Sequence, residues 1–495
     1  MTISPPHENP RDLDDDELFD AIFNSSNITH LRALPPIAEG WQYGHPCGLL
    51  GFSLGFGAAS SPRAFVRTYV GKYPTPINLL VAISGHSGAG KGLSSALFEA
   101  AYPPALTPPS PPPAPGPPVG GSAASARINT SPCIRTKRPA SGIALTDLFF
   151  DTVEDDEGHV SLVQHGDAVW PDWGEIQQLA SKTAGAGADL EAVIRDAWSG
   201  SQLGDEAISR KRGGVGGHVP ARSYRFVCTV GVQPAQGEHL LRDGGGGTAQ
   251  RYLWMPTEPL EIEGTDAELR ARQLAARAEA FRILGLPVPP DLRRAEVPVI
   301  RIWGPGDGVI DMADDVLDAV AALRAQFAKM VRESPLETHT VLNQSRVAAI
   351  HAGWRTAGRN VIITMSDWWW ASCVMEVCRR ERDRVKAAAR ARQLHDADDE
   401  GELLGRRTLR SREVADAVIE KQVTETARKL TDRLIRAADG MASTDLRASL
   451  PTRLRKHFKA ALEAAEDEGW IKAITTSNPE TGRASTRYYG VADAA

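Results

Sequence analysis

Residues 76–98, PINLLVAISGHSGAGKGLSSALF, constrain this chain more than any other stretch. The apolar run from Ile77 to Ile83 reads as a strand. It ends in Gly85-His-Ser-Gly-Ala-Gly90-Lys91-Gly92, and a helical pattern runs from Leu93 to Ala101. Strand, Gly-rich loop and helix in that order aim backbone N–H groups and the positive end of a helix at one spot, which suits a phosphate. Small residues are needed where phosphate oxygens approach the main chain. The expected phosphate-binding residues are Gly85, Ser87, Gly88, Ala89, Gly90, Lys91 and Gly92, with Lys91 reaching the β- and γ-phosphates. The residue after such a lysine is ordinarily Ser or Thr, whose hydroxyl holds Mg²⁺. Here it is Gly92, and Ser87, Ser94 and Ser95 stand at other spacings. The plain alternative is a Gly-rich turn in an α/β fold.

The second informative stretch is 167–181, DAVWPDWGEIQQLAS. An enzyme with such a loop needs an acidic residue for a metal and a carboxylate to polarise water at the end of another strand. Ala168-Val169-Trp170 is the expected strand, Glu175 the catalytic carboxylate and Asp172 the metal ligand, with Asp167 as the alternative. An ordinary αβ loop explains the same residues. Further on, 200–222 is a basic, Gly-rich loop in which Arg210, Lys211 and Arg212 could meet a nucleic-acid backbone or simply face solvent. Tyr224 to Val230 reads as a third strand, leading to Gly231-Val-Gln233-Pro234. Arg251 follows the flexible Gly244–Gly247 run and opens an apolar stretch. It could be an arginine finger or a structural ion-pair partner.

At 495 residues the chain has room for two to four domains, and 42% hydrophobic with 24% charged residues is a globular composition. A net charge of -6 does not advertise nucleic-acid binding over the whole surface. Five cysteines without a CxxC pair argue against zinc, and with no signal peptide they suggest a reducing cytoplasm. No run is long enough to span a membrane, so no membrane partner is expected.

The expected organisation has six parts. Residues 1–27 are an acidic, disordered N-terminus, with a short helix from Glu17 to Phe23. Residues 28–75 form a helical N-terminal segment. The core spans 76–305 and carries a Pro-rich insertion at 103–140, since ten prolines between 103 and 118 fit no packed element. A helix is expected over Ile143 to Asp151 and a strand over Val297 to Trp303. Residues 306–392 are a helical domain in which Ser366-Asp367 caps one helix and Trp368 to Trp370 pack a core. Residues 393–405 are an acidic linker. Residues 406–495 read as helices over about 411–438 and 444–468 followed by a two-stranded hairpin, the order of a winged helix. Arg453, Arg455, Lys456 and Lys459 stand where a recognition helix would lie, so DNA contact is expected there.

SGHSGAGKG, WPDWGEIQQLAS, WSGSQLG with its basic loop, VGVQP and RYLW, in that order, resemble a large family of bacterial and phage P-loop ATPases. That family is similar to the helicase half of primase-helicases of phages and mobile elements, and the likeness covers about residues 28–380. NVIITMSDWWWASCVMEV resembles the family's helical tail. The resemblance implies an α/β, RecA-like P-loop NTPase core with helical flanks, using ATP and Mg²⁺ and assembling as a homo-oligomeric ring, a hexamer being one size it would take. Lys91 would bind phosphates, Glu175 activate water, Gln233 sense the γ-phosphate and Arg251 act on a neighbour's nucleotide. Gly92 and the strand-interrupting Pro171 depart from the family pattern, and no primase half is expected in the short stretch before the loop.

The leading expectation is a DNA-replication ATPase, a helicase or helicase-like motor, with replication proteins among its partners. A non-hydrolysing, nucleotide-dependent DNA-binding regulator is the second reading, favoured by Gly92. A small-molecule kinase is the third.

Overall fold

The computed structural model describes residues 9–42, 44–68, 73–102, 134–154, 160–164, 168–183, 189–204, 218–241, 247–258, 264–302, 304–330, 339–477 and 483–491. Asp167, Arg210, Lys211, Arg212 and residues 103–133 of the Pro-rich insertion lie outside them. The chain divides into two compact units, Met1–Arg392 and Gln393–Ala495. It is a mixed α/β protein, and among the described residues no helix is long and apolar enough to cross a membrane.

The first unit is built on a parallel sheet. In chain order its strands are β1 (Leu79–Ser84), β2 (Ile134–Arg135), β3 (Ala168–Val169), β4 (Asp172–Trp173), β5 (Arg225–Val232) and β6 (Tyr252–Pro256). Their spatial order is β6-β1-β5-β3-β2, and β4 continues beyond Pro171 along the same side of β5. β1 and β5 are buried at every residue, as the continuous apolar runs of a parallel sheet covered on both faces require. Pro171 breaks the ladder between β3 and β4 because it has no N–H to donate, yet its carbonyl accepts from Thr229 and pairing with β5 resumes at once.

The helices that set the site are α1 (Thr29–Gln42), α2 (Cys47–Ala59), α3 (Lys91–Ala101), α4 (Ile176–Thr183) and α5 (Met365–Ile435). α2 is apolar all round and packs on the sheet, which is why it is almost wholly buried. A second sheet joins Ile362–Ile363, Gly308–Met312, Ala64–Val66 and Thr75–Pro76 in that order. The segment expected to be helical over 306–392 therefore contributes two strands, and so does the N-terminal segment expected over 28–75.

Other expectations shift for local reasons. The helix expected over 143–151 is Gly142–Asp147, followed by a strand, Phe150–Glu154. Residues 297–302 form no strand. Pro298 lacks a donor, and the Ile300 N–H goes to the Ala101 carbonyl at the end of α3. At the start of α5 the Asp367 carboxylate reaches back to the Thr364 N–H and hydroxyl, and also pairs with His351 and Arg355. Trp368 and Trp370 are core residues. Residues 393–405, expected as a linker, are helical within α5. Ion pairs four apart, His395–Asp399 and Glu402–Arg406, suit a helix in spite of Gly401 and Gly405.

In the second unit the strand Met441–Ala442 precedes the helices Ser443–Ala448 and Phe458–Asp467 and the hairpin strands Ile471–Ser477 and Ala484–Gly490. The short strand pairs with the last one, giving a three-stranded antiparallel sheet. Its core includes Leu430, Leu434, Leu446, Phe458 and Leu462. The helix expected over 444–468 is split, because Pro451 cannot continue it and a 3-10 turn, Thr452–His457, takes its place.

Candidate phosphate-binding site

Three strand ends meet on one level. Ser84 of β1 pairs with Val232 of β5 and with Pro256 of β6, so the segments beginning at Gly85, Gln233 and Thr257 leave the sheet side by side. The Gly85 N–H donates to the Val232 carbonyl at 3.0 Å, which ties the loop root to β5. His86, Ser87 and Gly88 are exposed at the loop tip, and Ala89 and Gly90 are half-buried. Gly90 caps α3 with φ +87°, in the left-handed region. The Gln42 side chain of α1 donates to the Gly90 carbonyl at 3.0 Å and to the Ser94 hydroxyl at 2.8 Å, holding loop and helix together.

Lys91 opens α3 and is 8% exposed. Its Nζ donates to the Gly85 carbonyl at 2.8 Å and the His86 carbonyl at 3.0 Å, and lies 4.0 Å from Glu175 Oε1. Burial pushes its pKa below the usual lysine range, while Glu175 and Glu258 pull it back up. Glu175 sits between β4 and α4, and its Oε2 accepts from Gln233 Nε2 at 3.4 Å. Lys91, Glu175 and Gln233 therefore converge at the C-terminal ends of three strands, where ligands of open parallel sheets bind. β5 separates the Lys91 strand from the Glu175 strand. Two inter-strand steps of about 4.8 Å place their strand axes roughly 10 Å apart, and the two side chains bridge that gap, with Lys91 Nζ 4.0 Å from Glu175 Oε1.

Asp172 is not at this convergence. Its Oδ1 accepts from Thr229 Oγ1 at 2.6 Å and its Oδ2 from Ser95 Oγ at 3.5 Å. Burial raises its pKa, against the pull of Thr229, Arg138 and Ser95. Ser94 is fully buried and receives Gln42, and Gly92 has no hydroxyl. Among the described residues, Mg²⁺ has no side-chain hydroxyl at the standard place, and Asp172 already serves protein donors. The described residues do not fit a protein-held metal.

Arg251 lies at the opposite end of the sheet. Tyr252 pairs with Leu80, so Arg251 is six residues, or about 20 Å, from the level of Gly85. Its Nη1 donates to the Gly247 carbonyl at 2.7 Å, and its guanidinium lies 5.2 Å from the Trp198 ring. Arg346 covers the same ring at 4.1 Å. In the second unit Arg453, Arg455, Lys456 and Lys459 are exposed. Arg455 donates to the Leu450 and Ala448 carbonyls, and Lys459 faces Glu463 at 3.8 Å.

Sequence reasoning missed Gln42, Thr229 and the group behind the loop tip. There Glu258 accepts from the His86 N–H at 3.2 Å, pairs with the His86 ring and lies 3.2 Å from Arg384 Nη1. Burial alone would raise the Glu258 pKa, but His86 and Arg384 hold it below the usual range. Nothing in local spacing marks these residues, since their partners are 48 to 172 positions away.

No protein-family model matches the chain, and a search of curated proteins finds no match to it.

Proposed function

We propose that this chain is a RecA-like P-loop ATPase acting on DNA, a helicase or helicase-like motor that binds ATP between subunits of a ring. The observation that carries the reading is the convergence of Lys91, Glu175 and Gln233 at neighbouring parallel strand ends. The loop amides and the start of α3 would cradle the phosphates, with Lys91 as the point charge beside them. Glu175 would orient a water for in-line attack on the γ-phosphate. Gln233, bonded to that carboxylate, would report whether the γ-phosphate is present. Arg251, remote from its own Lys91, would act on a neighbour's nucleotide. In the second unit the order strand, helix, helix, hairpin supports a winged helix, with Arg453, Lys456 and Lys459 offered to DNA.

A DNA-stimulated ATPase assay tests this. Lys91→Ala should abolish nucleotide binding, and Glu175→Gln should keep binding while slowing hydrolysis about 10²-fold or more, the usual cost of losing a general base. A native protein that binds ATP but does not turn it over with any DNA would leave the second reading, a nucleotide-dependent DNA-binding regulator, which Gly92 favours. No ATP binding at all would remove both.

A further inference from the structure

Asp172, whose carboxylate reaches Ser95 of the loop-bearing helix, is tied into the fold. The Trp170 indole donates to Thr229 Oγ1 at 3.3 Å, and Thr229 in turn donates to Asp172 Oδ1 at 2.6 Å. Thr229 is fully buried and is the strand partner of Asp172 across the β4–β5 ladder. The other carboxylate oxygen faces Ser95. The Arg138 guanidinium bonds the Asp172 carbonyl and, at 3.1 Å, the Gln178 side chain, so a cation already stands beside this carboxylate. Ser95 is three residues beyond Gly92, about 4.5 Å deeper along the helix axis. Asp172 therefore meets α3 one turn below the place where a metal-binding hydroxyl would project. At that place a Cβ on Gly92 would meet nothing within 4 Å. Mg²⁺ needs near-ideal octahedral geometry and usually takes one or two carboxylates besides phosphate and water.

Building on the proposal that this loop binds nucleotide, we infer that the chain binds ATP or ADP without a side-chain-held metal. Asp172, Thr229 and Ser95 act as a brace that locks β4 to β5 and α3. Lys91, the loop amides and the α3 N-terminus meet the phosphate charge, and any Mg²⁺ rides on phosphate oxygens and water alone. The ligand class is a nucleoside di- or triphosphate with or without its cation.

The test is calorimetric titration of the full chain with ADP and with a non-hydrolysable ATP analogue, in Mg²⁺ and in EDTA. The expected result is a Kd in EDTA within about threefold of that in Mg²⁺, under 1 kcal/mol. Gly92→Ser, whose side chain enters open space, should make binding at least about tenfold tighter in Mg²⁺ than in EDTA. Native binding that weakens tenfold in EDTA would overturn the inference while leaving the nucleotide site standing. A Gly92→Ser protein as indifferent to EDTA as the native one would overturn the assignment of Gly92 as the missing ligand position. Absence of binding in both buffers would instead sink the phosphate-site reading, and this inference with it.

Discussion

Gly90 and Gly88 share a left-handed backbone but stand in different surroundings. A Cβ on Gly90 would come within 2.6 Å of Gln42 Nε2, whereas one on Gly88 would meet nothing within 4 Å. Gly88→Ala should then cost only the left-handed penalty, about 1–2 kcal/mol. Gly90→Ala should cost that and also displace Gln42 from the Gly90 carbonyl and the Ser94 hydroxyl, adding about 1 kcal/mol for each bond lost. Urea denaturation of the two variants checks the order. Equal losses would mean that Gln42 does not hold the loop. The need for small residues at these positions was readable from spacing, because it is a property of the backbone. The identity of the residue that braces the loop was not, because Gln42 lies on another helix and reaches Gly90 only after α1 has packed.

Between elements, the decisive contact is that of β4 with β5. A Cβ on Gly231 would lie 2.0 Å from the Gly174 carbonyl, so the residue just before Glu175 sits directly against β5. Gly231→Ala should push β4 outward, with an overpacking cost of about 1–3 kcal/mol. On the proposed ATPase reading, and because Glu175 follows Gly174, ATP turnover should fall by more than the stability loss explains, as denaturation and turnover measured on one preparation would reveal. Unchanged turnover would show that another contact places Glu175. At this scale the strands were legible where apolar runs were long, as in β1 and β5. Short pieces misled: residues 297–302 of the expected strand include a proline and have no ladder partner among the described residues, and the 444–468 helix is broken at Pro451. Residues 393–405 carry linker-like glycines and acids, yet their ion pairs four apart fit a helix.

For the whole molecule the two units keep separate cores, one around the parallel sheet and one around Leu430, Leu434 and Phe458. Leu430→Ala should destabilise the second unit by about 2–5 kcal/mol and leave the first unchanged. Calorimetry should show one transition moving alone, and a single transition shifting as a whole would mean that the cores unfold together. The amino-acid order by itself determined the Gly-rich loop, the strand before it and the helix after it, because a Gly-rich turn between two periodic runs restricts backbone geometry locally. It also announced Glu175 and Gln233 as residues at strand ends. Only the tertiary structure decided that Glu175 stands beside Lys91 with Gln233 bonded to it, that Asp172 accepts from Thr229 and Ser95, and that Arg251 belongs to the far end of the sheet. Those outcomes depend on strand order and register, which arise from the burial of apolar faces across long separations and leave no trace in any short window of sequence.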